Sequence, residues 1–502
     1  MVKLKDWFMS WLPTKVEFRE SDLGFTGDTV PSVQVFDCFT GPETSDGQLR
    51  EELQQKSADN DCKAPYYAKA LNLHASMVVG SGPMVVITDD RITPEDRKHL
   101  KKRWRRWTQR SGFVRTLRSF RRAGMKVGEG LAYFVTAERQ MDPVKLKLVD
   151  VSATRLQTPL ELVNEASIND GIQYSEDGQP TKFFISGGPN SIDEHDASRV
   201  AYWFCGVLEE QKRGIPELHT TLDWFPKITA FQNAVISSME LFARMPLALE
   251  VDAAWIGDDD DSRSGCPLPT DKPFKMPANG LMVPTLPKGT SISKMQGEAP
   301  GTDSKDALKS IVTMAVSPIF MPAILIMGDA GDASFSAANI DWEPYLNKIY
   351  EDRAELEPTC SLSFEQWLLE GAKIPGYFGP SVVAAVREDL ARSKELAKSE
   401  DEDKGDLDID HEWRWGRVKC HIDPNKEASA RQKDLESCAM TLPEVYESRN
   451  EDLDERVEQA SEFYNVSPDE YRAMLWSKLK VQPTTPSKGS NNAKQASSKS
   501  ST

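Results

Sequence analysis

An α+β fold is what this sequence predicts, and three observations predict it. Apolar residues recur every three or four positions in long stretches, as helices burying one face require. Between Leu131 and Trp203 that period shortens into strand-like runs separated by turn residues. Two apolar rods then bracket a turn-rich insertion. At 502 residues the chain is long enough for two to four domains around sizeable cores.

Residues 1–60 are polar and turn-rich ("SDLGFTGDTVPS", "GPETSDG") and are expected to form a surface arm with little core of its own. Helical spacing starts at Pro65, with Tyr67, Ala70, Leu71, His74 and Met77 on one face. "VVGSGPMVV" then turns into a strand. Its Gly80–Gly82 pair is a strand bend rather than a phosphate loop, because no GK[ST] follows and Pro83 blocks a helix. In the segment Glu95–Val135, Trp104, Trp107, Phe113, Leu117 and Phe120 fall at helical spacing and are expected in the core. The arginines around them are dense for so acidic a chain. Arg103, Arg105, Arg106, Arg110, Arg115, Arg118, Arg121 and Arg122 make a candidate basic interface, toward an acidic neighbour or toward nucleic acid.

The runs "LAYFVTA", "KLKLVDV", "GIQYSEDGQPTKFFI" and "RVAYWFC" predict strands, with "EDG" marking a hairpin. From Glu209 the chain becomes helical: Trp224, Ile228, Phe231, Val235, Met239 and Phe242 form a stripe that Pro246 ends. The insertion at 249–303 carries Asp258, Asp259, Asp260 and Asp261, whose plain reading is a solvated acidic turn. An apolar run, Ser310–Ile326, predicts a second rod. Pro318 and Pro322 interrupt it, so a membrane span is not expected. "MGDAGDASFSAANIDW" follows, a loop of small residues and two aspartates before helical spacing resumes at Asn339, with Pro358 expected to bend that helix. An amphipathic helix over 378–398, a charged loop at 399–410, two closing helices and a disordered low-complexity tail complete the chain.

The start of the chain does not read as a signal peptide, and seven scattered cysteines without CxxC spacing read as reduced thiols in a cytosolic compartment. A net charge of -17 argues against a protein that coats nucleic acid, though not against one that lets it slide past. No G-x-S-x-G, H-E-x-x-H or Walker A motif is present. The six histidines are dispersed, and "EDEDKGDLDID" fails as a calcium loop because Lys404 stands where an oxygen ligand is needed. No catalytic residue, metal site or cofactor is expected. A nucleic-acid enzyme using the 258–261 and 329–332 carboxylates for Mg²⁺, and a scaffold or minor capsid protein, remain the competing readings.

Five motifs in order, spread over about residues 65–465, resemble the lambda-type portal proteins of tailed bacteriophages. They are "YAKALNLHASMVVGSGPMVV", "RWRRWTQ" with "LRSFRRAGMKVGEGLAYF", "LEEQKRGIPEL", "SPIFMPAILIMGDAGDASFSAANID" and "IDPNKEASARQKDLESCAMTLPEVYESRNEDLDE". One departure is plain: Ala337–Ala338–Asn339 stands where the family has Ser–Ala–Arg, so the contact made by that arginine is not carried over. The insertion at 249–303 follows no recognised pattern.

The resemblance implies a ring, usually dodecameric, at one capsid vertex. DNA enters through it during packaging and leaves through it at infection. It implies an arm (1–60), a wing (60–217), a stem helix (218–248), a clip (249–303), a second stem helix (304–326), a tunnel loop (327–338), a wing helix (339–377), a crown (378–476) and a tail (477–502). The tunnel loop would present Gly328, Asp329, Ala330, Gly331, Asp332, Ala333, Ser334, Phe335 and Ser336 to double-stranded DNA. Small residues there ease conformational change, and aspartates repel phosphate. The implied partners are further copies of the chain, a terminase large subunit that supplies the force, a head–tail connector, and the major capsid and scaffold proteins. The implied location is the virion, with host cytoplasm during assembly.

Overall fold

The computed structural model describes residues 47–163, 165, 167–188, 191–206, 211–244, 247–251, 290–294, 302–329, 335–396, 407, 409–418, 424–449 and 451–479. The described chain is a mixed α and β structure, as the spacing predicted.

The first helix is a departure. α1 (Gly47–Lys63) lies mostly within the stretch expected to be a surface arm, yet it buries Leu53, Gln54, Ser57 and Asn60. Its attachment is polar, which is why apolar periodicity missed it. Gln54 Nε2 donates to the Val127 carbonyl at 3.0 Å and Ser57 Oγ to that of Lys126 at 2.6 Å. Those carbonyls end another helix and have no partner within it, so α1 supplies the missing donors.

α2 (Pro65–Val79) begins on a proline at a position that needs no N–H and buries the face its spacing predicted. Gly80 and Gly82 both take positive φ and turn the chain into β1 (Met84–Ile87). α3 (Pro94–Ser111) is capped by Thr93, whose side chain accepts from the Asp96 amide. Gly112 then turns the chain directly into α4 (Phe113–Val127).

Three strands pack beneath these helices. β2 (Glu129–Thr136) lies between β3 (Leu146–Val151) and β8 (Val200–Phe204), all antiparallel. A second antiparallel sheet runs β4 (Ile168–Asn169), β5 (Ile172–Tyr174), β6 (Pro180–Gly188) and β7 (Ser191–Asp196). The predicted hairpin joins β5 to β6, with Gly178 in the turn at φ 77°. β7 carries no apolar alternation that could predict it, because "SIDEHD" has charge on both faces. It is an exposed edge strand, where charge discourages further pairing.

α5 (Trp224–Arg244) and α6 (Thr302–Val316) run side by side. Beyond them β9 (Leu247–Val251) pairs antiparallel with β10 (Thr290–Lys294), closing the neck of the insertion. Asp258–Asp261 lie outside the described residues. The second rod is shorter than expected: it stops at Val316, and a 3-10 turn over Ser317–Ile319 and a left-handed Phe320 (φ 53°) precede α7 (Ala323–Met327). Pro318 and Pro322 have no N–H to continue the ladder, so the run that looked continuous in hydropathy is broken in backbone.

α8 (Phe335–Ala372) also starts earlier than expected, inside the predicted loop, and continues through Pro344 and Pro358 as one helix. α9 (Pro380–Leu396) matches its prediction. β11 (His411–Arg414) then returns to pair antiparallel with β1, Met84 opposite Arg414. Four helices follow where two were expected: α10 (Pro424–Glu436), α11 (Leu442–Glu447), α12 (Leu453–Tyr464) and α13 (Pro468–Leu479). Pro443 and Pro468 each stand in the first turn of a helix, of α11 and α13, where no N–H is needed.

The main core is aromatic, and the tryptophans predicted to be buried are its centre. Trp104 stacks on Trp107 with ring centroids 4.9 Å apart, and meets Phe364 at 5.2 Å, Trp367 at 5.3 Å and Trp413 at 6.0 Å. Helix α3, helix α8 and strand β11 are thus held by one aromatic nest. Trp107 is fully buried and its Nε1 donates to the Leu146 carbonyl at 3.0 Å, tying the nest to β3. Trp107→Ala is therefore expected to cost about 3–5 kcal/mol in denaturant unfolding.

Candidate functional site

Two buried polar junctions position the paired helices α5 and α6 on the sheet and helices behind them. The first is made by "GE" and "RGIP", motifs far apart in sequence that meet in space. Glu129 is completely buried at the start of β2. Arg213 grips it bidentately, Nε to Oε1 at 2.6 Å and Nη2 to Oε2 at 2.8 Å. The Gly214 amide donates to Oε1 at 2.7 Å and the Tyr202 hydroxyl to the same oxygen at 3.1 Å. Burial pushes the Tyr202 phenol well up, so it remains a donor at neutral pH. Glycine is required on both sides of this contact. A Cβ on Gly214 would lie 2.1 Å from the Gly128 carbonyl oxygen, and one on Gly128, at φ 91°, would lie 2.2 Å from the Ile215 carbonyl carbon.

The second junction follows within a few residues. Arg121 of α4, only 1% exposed, sends Nη1 to Glu217 Oε1 at 2.6 Å and Nη2 to Asp352 Oδ2 at 2.8 Å. His74 of α2 stands 2.6 Å from the same Asp352 oxygen through Nε2, and Lys348 reaches Oδ1 at 3.0 Å. Because an ionised carboxylate only accepts, Nε2 carries the histidine proton and Nδ1 accepts from Tyr345, 3.3 Å away. Burial holds His74 below its usual range despite the pull of Asp352, so the ring is neutral. Burial alone would raise Asp352, but Arg121, His74 and Lys348 around it hold its carboxyl well below the carboxylate range. Elements α2, α4, α8 and the loop after Arg213 therefore share one charged knot.

From this knot the chain enters α5 through buried Leu218, Leu222, Phe225 and Ile228, and Thr221 Oγ1 donates to the Ala315 carbonyl of α6 at 2.8 Å. Further along α5 the predicted stripe emerges from cover: Met239 is 47% exposed, beside Ile236 at 53%, and Met314 on α6 is 50% exposed. The base of the small-residue loop is anchored too. Lys69 Nζ donates to the Ile326 carbonyl at 2.6 Å, Gly328 caps α7 at φ 75°, and Asp329 pairs with Lys305 of α6 at 2.7 Å. Asp329 is thus no isolated charge. Ala330, Gly331, Asp332, Ala333 and Ser334 lie outside the described residues, while Phe335 and Ser336 open α8.

The eight arginines of the predicted basic cluster do not share one environment. Arg121 is interior. Arg118 Nη2 donates to the Gly80 carbonyl at 2.8 Å, and Arg122 pairs with Asp61 at 2.5 Å. Arg103 covers the Tyr377 ring at 4.5 Å, and Arg110 lies 3.5 Å from Asp142. Arg105 pairs with Glu455 of α12 at 2.6 Å. Arg106 and Arg115 are exposed. Among the described residues no group of three or more His, Cys, Asp or Glu side chains is placed to hold a metal, and no helix is long and apolar enough to cross a membrane.

Sequence reasoning quoted both motifs of the first junction without seeing that they touch. It placed His74 on a core face and Arg121 in the basic cluster, and it singled out neither Lys348 nor Asp352. Their spacing of four on one helix was the one local signal available.

A family model described as phage portal protein, lambda family, matches residues 39–343. Among solved structures, a chain from the virion of a native gene transfer agent particle is similar at 13% identity and a TM-score of 0.36, covering 69% of this chain and 89% of that one. A chain from the neck of the native particle, computed with C12 symmetry, shows 12% identity and a TM-score of 0.36, covering 68% and 92%. One from the neck of the empty particle, computed with C6 symmetry, shows 13% and 0.37, covering 70% and 92%. No curated protein matches the chain.

Two outcomes are expected from the junctions. Gly214→Ala should lower the melting temperature sharply, because the added methyl meets the backbone of Gly128, in the bend between α4 and β2, rather than a side chain that can move. The second concerns pH. His74 has a folded pKa below its ordinary 6.5, so the unfolded chain binds the extra proton first and stability falls as pH drops below about 6.5. His74→Gln, which still donates to Asp352, should flatten the dependence of melting temperature on pH between about 6.5 and 5.

Proposed function

This chain belongs to the lambda family of phage portal proteins, and we propose from that premise how its parts serve a portal. Copies assemble as a ring, a dodecamer, at one capsid vertex, and double-stranded DNA passes through the centre during packaging and ejection. The observation that carries this reading is the extent of the family match. It runs from residue 39 to 343, through the helices and sheet, the "GE"–"RGIP" junction, both rods and the loop between α7 and α8.

In this reading α5 and α6 are the stem. Their uncovered Ile236, Met239 and Met314 are large apolar side chains that a single chain leaves in water, and neighbouring stems in a closed ring would cover them. The loop Gly328–Ser336 lines the channel. Asp329, paired with Lys305 at the base of the loop, and Asp332 are the acidic residues that the loop would turn toward phosphate. The insertion at 249–303 is the clip, which takes the terminase large subunit during packaging and a head–tail connector afterwards. The wing meets the major capsid and scaffold proteins, and the helices after residue 378 form the crown. The family is structural, and the force for packaging comes from the terminase rather than from a hydrolytic site in this chain.

Negative-stain images of the purified chain should show rings with a central hole. Solitary particles without a hole across the assembly conditions of salt and concentration would overturn the reading.

A further inference from the structure

The cationic helix α3 has an unusual cover. Lys98 pairs with Glu458 of α12, and Arg105 Nη1 meets Glu455 Oε2 at 2.6 Å. Asp452 and Asp454 line the same groove, which also holds Lys101 and Lys102 on the α3 side. The sequence from Glu451 to Glu462 contains six carboxylates and one arginine. The acidic neighbour that the basic cluster called for is, in part, the chain's own C-terminal region.

The cover is loosely fitted. A groove of about 160 Å³ remains between α3 and α12, with Trp104, Phe113 and Met84 on its walls. A second hollow of about 220 Å³ opens beside Arg105, between Glu451 and Arg456. The ion pairs are exposed, 43% and 47% for Lys98 and Glu458, 51% and 36% for Arg105 and Glu455. Pairs in that environment are weak and salt-screened. Lys102 and Arg106, on the outer turns of α3, are exposed.

We propose that the cationic face of α3 is a contact surface for duplex DNA, kept covered by the acidic helix α12, which DNA displaces. This rests on the portal reading and gives its basic cluster a partner and a control. The occupant indicates the class of partner. α12 sets Asp452, Glu455 and Glu458 on successive turns, a rod of negative charge against a row of ammonium and guanidinium groups. Duplex DNA is a stiffer rod with about one charge per 1.7 Å, and it releases counterions when lysines and arginines neutralise it. DNA therefore competes with α12 for the same groups and gains as its local concentration rises. Displacement would free α12 from α3 and carry α13, which packs on α12, with it, so DNA packed against the wing changes the position of these helices.

The test uses the full chain and a short fluorescent DNA duplex followed by anisotropy over a salt series, with rings verified by imaging beforehand. Replacing Glu455→Gln and Glu458→Gln together loosens the cover and should tighten duplex binding about tenfold at low salt. Adding Lys102→Gln and Arg106→Gln to that variant should abolish the gain. The proposal is overturned if the first pair leaves duplex affinity unchanged, or if the gain survives the second pair. It is also overturned if polyglutamate of matched charge binds the loosened variant as tightly as DNA, since the face would then suit an acidic protein. Ring formation reads the portal assignment separately: intact rings with unaltered duplex affinity sink this inference alone.

Discussion

Buried charge has to be answered by charge, and the guanidinium of Arg121 imposes that demand on four separate parts of this chain. Removing any one of Glu217, Asp352 or His74 leaves a group in the interior with its solvation gone and its partner missing. Apolar packing tolerates small slips between helices, whereas a bidentate pair inside a shared hydrogen-bond network does not. The knot therefore fixes how α2 and α8 sit against α4. Through Glu217 it also fixes the point from which the chain departs into α5. The neighbouring grip of Arg213 on Glu129 does the same for the sheet. Both junctions take a member from the segment Arg213–Glu217, so five residues tie the entry into α5 to the sheet and to the knot.

The legible parts of the fold were those written in apolar periodicity. The face of α2, the tryptophans of α3 and the strands β2, β3, β5, β6 and β8 stand where their spacing put them. What escaped were elements held by polar contacts. α1 docks through glutamine, serine and asparagine, and β7 is charged on both faces, so neither has an apolar stripe to reveal it. Proline ended α5 where expected, just before Pro246, whereas the second rod was drawn too long because hydropathy runs on through Pro318 and Pro322 although the backbone ladder cannot. The knot itself was invisible for a different reason. Its members come from positions 74, 121, 217, 348 and 352, and no window of a single sequence joins them. The family resemblance marked the segments that hold "GE" and "RGIP" as separate motifs, and their contact emerges only in the fold.

An acidic chain with a basic cluster looks contradictory until the cluster is divided by burial. Arg121 is consumed in the interior, Arg118 and Arg122 tie α4 to a turn and to α1, and Arg103 lies on a tyrosine ring. What remains for the outside is Arg115 of α4 and the row on α3, part of which faces carboxylates of α12. Four of the eight arginines, Arg103, Arg118, Arg121 and Arg122, therefore fasten the chain to itself. The net charge of -17 describes the surface that a passing polyanion meets.

The pairing of β1 with β11 has a consequence for how the chain is made. Met84 emerges from the ribosome long before Arg414, so the edge of β1 waits through most of translation without its hydrogen-bonding strand. Trp413, on the same late strand, is also the last ring to join the nest around Trp104. A nascent chain stopped short of that strand would carry an open edge beside exposed tryptophan, the combination that invites aggregation or a holding chaperone. Closure of the core therefore waits for the synthesis of β11.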